Sequence, residues 1–261
     1  VVSGQVLFGG ADLLTMGEEA KRQIRGNRIA MVFQDPMMTL NPLLSIEDQM
    51  VETMMAHAKT TRKAAVERSL ATLDKVGIPD AGRRLKAYPH QFSGGMRQRV
   101  AIAIALLHEP ELIIADEPTT ALDVTIQGQI LFEMRALCDE MGMALIWISH
   151  DLAVLGALSD RINVMYAGRV VESGRTDDLL DRPLHPYTKG LLGSVPGASK
   201  RGASLAQIPG MPPNLLELAP GCAFQPRCQR ATAGCSAEIG VSRSPDGREY
   251  RCVNPCVEGK I

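Results

Sequence analysis

The sequence predicts an α/β fold built on a mostly parallel sheet, and three observations carry that prediction. From residue 111 to 166, short apolar runs alternate with segments of helical period: strand 111–115, helix 124–141, strand 143–149, helix 151–158, strand 161–166. Strands that alternate with helices pair in parallel, because each helix carries the chain back across the sheet. The run Leu112-Ile113-Ile114-Ala115 is apolar throughout, the pattern of a strand buried inside a parallel sheet, and it ends in Asp116-Glu117. Finally, a block of helical pattern over 43–108 interrupts the alternation as a subdomain.

The remaining elements follow in order. Segments 4–8 and 28–33 read as short apolar strands, and Asp35-Pro36 through Asn41-Pro42 is turn chemistry. From Ile46 to about Val76, Met50, Met54, Val66, Leu70 and Leu73 recur at helical spacing, so one helix is expected, ended by Gly77-Ile78-Pro79. Met50, Met54 and Met55 cluster on it and read as an adaptable contact surface. A second helix is expected from Gly94 to about Leu107, stopping before Pro110. After strand 161–166, Tyr166-Ala167-Gly168-Arg169 turns into a last strand at Val170-Val171. Beyond Arg182, prolines and glycines become frequent, periodicity fades and cysteines appear. The expected organisation is a partial core over 1–42, a helical subdomain over 43–108, the rest of the core over 109–182 and a C-terminal extension over 183–261.

Composition narrows the function. The formal net charge of −1 gives no general attraction to nucleic acid or anionic membranes, and no nucleic-acid partner is expected. The longest apolar run, Val100 to Leu107, is a core segment and far short of a bilayer span. Five of the six cysteines lie within 222–256, a local site rather than a scattered disulfide framework.

Several segments carry chemistry. Ser93-Gly94-Gly95 opens a helix, where backbone N–H groups and the helix dipole favour phosphate; the plainer alternative is a helix cap. Asp116 and Glu117 end a strand where open α/β sheets place ligands, so Asp116 suits a Mg²⁺ site and Glu117 a general base. Gln34 follows a strand and reads as an amide for a metal or water. His150 ends another strand and can reach a γ-phosphate, and Asp123 reads as a helix cap or interface residue. Together these imply nucleotide hydrolysis. Yet G-x-x-x-x-G-K-S/T appears nowhere in the 261 residues, and the chain starts at Val1. The expectation is a chain whose N-terminal phosphate-binding loop lies upstream of Val1.

In this order, Gln34-Asp35-Pro36, Ser93-Gly94-Gly95-Met96-Arg97-Gln98-Arg99, Ile113-Ile114-Ala115-Asp116-Glu117-Pro118-Thr119, Ala121-Leu122-Asp123 and Ser149-His150-Asp151 resemble the ABC transporter ATPase family. There they correspond to the Q-loop, signature motif, Walker B strand, D-loop and switch histidine. Phe92 stands where the family usually has Leu, and the Walker A loop and its upstream aromatic are missing. The resemblance covers residues 1 to about 180. It implies a P-loop NTPase fold of the ABC nucleotide-binding type, with ATP and Mg²⁺ as ligands. It also implies a head-to-tail dimer in which Ser93 and Gly95 close over ATP held by the other subunit. Glu117 and His150 would act on ATP bound within their own subunit.

The segments Leu184-His185-Pro186-Tyr187-Thr188-Lys189-Gly190-Leu191-Leu192, Ile208-Pro209-Gly210-Met211-Pro212-Pro213 and Ala219-Pro220-Gly221-Cys222 to Cys228 are similar to the extension of the dipeptide, oligopeptide and nickel importer ATPases. That likeness implies membrane permease partners, a second and paralogous ATPase subunit, an extracytoplasmic peptide-binding protein acting indirectly, and a peripheral place on the cytoplasmic face of the bacterial inner membrane. The cysteine spacing alone leaves zinc, an iron–sulfur cluster or packed reduced thiols open. The resemblance implies a 4Fe–4S cluster on Cys222, Cys228, Cys235 and Cys252, with Cys256 spare and Cys138 a core residue. The rival readings are a soluble ABC ATPase without a transport role and a non-catalytic metal-binding regulatory protein.

Overall fold

The chain begins with a small hairpin, β1 (Leu7–Phe8) and β2 (Ala11–Asp12), paired antiparallel around Gly9-Gly10, both at positive φ. A computed structural model describes residues 3–120, 122–195 and 207–256. It divides into two units, Val1–His150 and Asp151–Ile261.

In the first unit, α1 (Glu18–Ile24) leads into β3 (Ile29–Val32). A helical block follows: α2 (Ile46–His57), α3 (Arg62–Lys75), the short α4 (Ala81–Arg84) and α5 (Gly94–Leu106). Strand β4 (Leu112–Asp116), α6 (Val124–Met141) and β5 (Ala144–Ile148) complete it. The single helix expected over 46–76 is two. Ala58 ends α2, and the Thr61 hydroxyl caps α3 by accepting the Ala64 N–H at 3.3 Å. The local cap outcompetes continued helix, since it satisfies an amide that otherwise lacks a partner.

Strands β3, β4 and β5 form a parallel sheet in that order. Paired positions share a face, so Ala30, Ile113 and Leu145 line one side, followed by Val32, Ala115 and Trp147. That side packs on the helical block and on α6 through Ile46, Met50, Leu73 and Val100 of the block and Ile130 and Met134 of α6, all at most 1% exposed. Each such side chain contributes about 1.5–3 kcal/mol by leaving water. The other side carries Met31, Ile146 and Ile148, all 40–49% exposed, with Asp116 at its end. Met50 is fully buried and Met54 packs on the core, so of the expected methionine surface only Met55 is exposed.

The second unit contains α7 (Leu152–Leu158), β6 (Arg161–Tyr166), β7 (Arg169–Arg175), α8 (Thr176–Asp181) and α9 (Pro186–Gly193). Two short strands, β8 (Ser242–Arg243) and β9 (Glu249–Tyr250), follow. They form an antiparallel sheet in the order β6-β7-β9-β8. Segment 161–166 is therefore no parallel strand. Ala167 and Gly168, both at positive φ, make a two-residue turn, which can only join antiparallel strands.

The core of this unit is a ring cluster. The Tyr166 and Tyr187 centroids lie 4.6 Å apart, and Phe224 meets Tyr166 edge-on at 5.2 Å. Glu172, fully buried on β7, accepts the Leu184 and His185 N–H groups at 2.8 Å each and so fixes the start of α9. Segment 251–256 is tied in by Arg251 N–H to Val171 O at 2.9 Å and Cys256 N–H to Leu184 O at 2.8 Å. No helix among the described residues is long and apolar enough to cross a membrane.

Candidate functional site

Strand β4 delivers Asp116 as its last residue, opposite Ile148 of β5, and the chain then turns sharply. Glu117 lies at φ 44°, a left-handed conformation that costs a residue with a Cβ about 1–2 kcal/mol. Two hydrogen bonds hold it there. Glu117 N–H donates to Ile148 O at 3.0 Å, and Thr120 N–H donates to Glu117 O at 3.2 Å.

Three segments meet on the Glu117 carboxylate. Gln34, just beyond β3, donates its amide Nε2–H to Oε2 at 3.2 Å. Thr120 donates its hydroxyl to the same oxygen at 3.0 Å. His150, just beyond β5, places Nδ1 3.2 Å from Oε1. The His150 nitrogen first, and then the Thr120 hydroxyl, hold the carboxyl below the usual glutamate range, against the opposing effect of burial. The group is therefore an ionised acceptor at neutral pH. Gln34, Glu117 and His150, each recognisable singly in the sequence, are brought together; Thr120 is an addition that the motifs do not single out. A signal for it is present: a hydroxyl three residues beyond a carboxylate across a turn is placed to reach back to it.

Ser93, Gly94 and Gly95 lie apart from this network. The Ser93 hydroxyl caps α5 by accepting the Met96 N–H at 3.3 Å, and its own O–H remains a donor. A Cβ on Gly95 would stand 2.8 Å from Ile126 Cγ2, and one on Gly94 would stand 3.8 Å from Leu122 Cδ2. Gly95 is thus required by packing inside the unit, against the start of α6. Asp123 caps that helix, accepting the Ile126 N–H at 3.0 Å. Helix α5 is pinned by Arg99, which donates to Val76 O at 2.6 Å and pairs with Glu133, and by Arg97, which donates to Pro89 O at 2.9 Å. Phe92 is buried, with the Arg84 guanidinium 5.6 Å from its ring centroid.

The cysteines expected to hold a metal in the extension lie near one another. Cys222 N–H donates to Cys235 O at 2.8 Å, and burial, with Cys222, Cys228 and Cys235 close by, pushes the Cys252 thiol up to about 11. Burial likewise raises Cys222 and Cys256. Metals bind thiolates, and without a metal the surroundings of Cys222 and Cys252 favour the thiol form. Among the described residues no three His, Cys, Asp or Glu side chains are gathered to hold a metal ion. The four cysteines Cys222, Cys228, Cys235 and Cys252 are neighbours. Cys138 packs against the core of the first unit, as expected.

Comparison with known proteins gives this geometry a family. Residues 1–120 match the ABC transporter family, and residues 171–235 match the family described as oligopeptide/dipeptide transporter, C-terminal region. The chain is 46% identical over 257 residues to the oligopeptide transport ATP-binding protein OppD of Escherichia coli, covering 98% of this chain and 76% of that protein. It is 51% identical over 235 residues to the dipeptide transport ATP-binding protein DppD of Bacillus subtilis, covering 90% of this chain and 70% of that protein. Among solved structures, it resembles the ATP-binding cassette MJ0796, a dimer bound to ADP and Pi, with a TM-score of 0.60 and 28% identity, covering 67% of this chain and 74% of that one. With its cassette fold and both motif-bearing segments matched, the chain belongs to the ABC transporter ATP-binding family, in the branch of the oligopeptide and dipeptide transport ATP-binding proteins.

Proposed function

We propose that this chain is the ATP-hydrolysing subunit of a bacterial ABC importer for di- and oligopeptides. One observation carries the reading. Gln34, Glu117 and His150 arrive from three separate segments at the C-terminal end of a parallel sheet, where open α/β sheets bind ligands. A water oxygen attacks the γ-phosphorus of ATP in line, and its proton passes to the Glu117 carboxylate. The bond from the γ-phosphorus to the β–γ bridging oxygen breaks, leaving ADP and phosphate. His150 turns from Glu117 to the γ-phosphate, and the Gln34 amide turns to the metal or to the attacking water. Mg²⁺ neutralises the phosphate oxygens when bound. The Asp116 carboxylate and the Gln34 amide oxygen suit it, since Mg²⁺ takes one or two protein oxygens and fills its shell with phosphate and water.

Ser93, Gly94 and Gly95 meet ATP held by a second, paralogous ATPase subunit in a head-to-tail dimer, with Asp123 near the same interface. The α5 N-terminus suits that role, because its backbone N–H groups and the Ser93 O–H are donors for phosphate. The helical subdomain over 43–108 and the segment after Gln34, where Met38 and Leu43 are exposed, contact the membrane permease subunits. The chain then works as a peripheral protein on the cytoplasmic face of the inner membrane, and the extracytoplasmic peptide-binding protein acts on it only through the permease.

The finer assignment of a 4Fe–4S cluster to Cys222, Cys228, Cys235 and Cys252 has the proximity of the four thiols in its favour and the lack of a gathered ligand set against it. No step of the reaction uses it. About four irons and four acid-labile sulfides per chain in anaerobically purified protein would establish it; their absence would leave the thiols as packing.

The functional reading is tested by reconstituting the gene product, expressed from its own locus, with its permease subunits in vesicles. Peptide uptake that requires ATP, and stops when ATP is replaced by a non-hydrolysable analogue, supports the reading. Uptake that proceeds equally with the analogue rejects it.

A further inference from the structure

The Glu117 carboxylate is held by three donors, but they differ in kind. Gln34 and His150 stand on the segments that follow β3 and β5. Both have work at the nucleotide in the reaction proposed above, so both leave the carboxylate as ATP binds. Thr120 belongs to the same turn as Glu117. Its N–H donates to Glu117 O at 3.2 Å while its hydroxyl donates to Glu117 Oε2 at 3.0 Å. Backbone and side chain therefore close one small ring on the residue they orient. The backbone of Glu117, at φ 44°, is fixed at the other end by Ile148 O. With the other two donors turned away as in that reaction, the Thr120 hydroxyl would be the one of these three left on Oε2.

We propose that Thr120 is a positioning residue, whose hydroxyl holds Glu117 Oε2 so that Oε1, released by His150, faces the attacking water. This inference rests on the reading of Glu117 as the water-activating base. An acceptor misplaced by a fraction of an ångström slows proton transfer while leaving nucleotide binding intact, because Thr120 touches the base and not the nucleotide. Thr120 is exposed, so exchanging its hydroxyl for a methyl leaves the core undisturbed.

The test compares Thr120→Val, Thr120→Ser, Glu117→Gln and the Glu117→Gln/Thr120→Val pair in the gene product assembled with its permease. Steady-state ATP hydrolysis is the readout. The expected result for Thr120→Val is a fall in kcat of about 10- to 100-fold, with KM for ATP unchanged within about twofold. Thr120→Ser restores kcat, and Thr120→Val adds no loss in the Glu117→Gln background. A Thr120→Val enzyme with wild-type kcat overturns the proposal, as does an equal loss in Thr120→Ser or a loss carried by KM. If Glu117→Gln is inactive and Thr120→Val is unimpaired, only the role of Thr120 fails. If Glu117→Gln itself turns over normally, the underlying reading of Glu117 fails with it.

Discussion

Lowering the pH from 7 to 4.5 is predicted to loosen the Asp151–Ile261 unit through one side chain, His185. The ring is 1% exposed. Its Nδ1 accepts the Tyr187 N–H at 3.1 Å, which assigns the proton to Nε2, and Nε2 is buried without a partner among the described residues. The nearby Glu172 carboxylate is committed to the Leu184 and His185 backbone N–H groups. With no counter-charge on the ring among the described residues, burial pulls its pKa from 6.5 down to about 4. A depressed value means that the unfolded chain takes a proton the native chain refuses. The stability contribution is whole above about pH 6.5 and is lost as the pH falls towards about 4. A proton bound by the unfolded chain alone costs the fold about 1.4 kcal/mol for every pH unit descended, so the loss by pH 4.5 is about 2–3 kcal/mol. Amide hydrogen exchange of β6 and β7 at pH 7 and 4.5 measures it, against a His185→Asn control that keeps the helix cap and removes the titration. Other titrating groups act on both proteins alike, so the difference isolates the imidazole. Equal pH dependence in wild type and His185→Asn would refute the argument.

Three further outcomes follow from single contacts. Gly95→Ala should destabilise the first unit by about 1–3 kcal/mol in urea denaturation, because its Cβ meets Ile126 Cγ2 at 2.8 Å. Adding Ile126→Ala should recover part of that loss, and strictly additive losses would show that the two residues do not interact. Glu172→Gln replaces one of two buried acceptors by an N–H facing the Leu184 or His185 amide, so it should cost about 1–3 kcal/mol by the same assay; a neutral effect would mean that the carboxylate is not what fixes α9. Thr61→Ala should cost about 0.5–2 kcal/mol and fray the start of α3, read by exchange at the Ala64 amide.

Much of the site is legible in the sequence because its parts are local. A strand ending in Asp116-Glu117, a cap at Ser93 and a cap at Asp123 are each written within a few residues, and each forms as read. Gln34 and His150 are recognisable by position beyond strands, and the parallel order of β3, β4 and β5 brings both to Glu117. What escapes is decided by pairing and packing at a distance. Gly95 reads as making room for phosphate, and packing against Ile126, remote in sequence, is a second demand for a glycine there that no local pattern shows. The break between α2 and α3 is visible in Thr61, but the apolar spacing on either side hides it. Ala167-Gly168 makes too short a turn for a parallel connection, so at 161–166 turn length outweighs the alternation of strands and helices. In the extension, order comes from long-range polar ties such as Glu172 to α9 and Arg248 to Asp178 O, which leave no period in the sequence. The cysteine pattern suggests a metal centre; in the structure those cysteines are neighbours, and burial raises the Cys222 and Cys252 thiols.

In the proposed reaction Glu117 activates the water that cleaves ATP. Nucleotide binding and phosphate release should therefore be measured side by side for the wild-type and Glu117→Gln gene products assembled with their permease. Glutamine keeps the shape and an acceptor oxygen but cannot take the proton at neutral pH. The expected result is ATP affinity within a few-fold of wild type and phosphate release reduced by about 100-fold or more. Phosphate release at the wild-type rate from Glu117→Gln would contradict it.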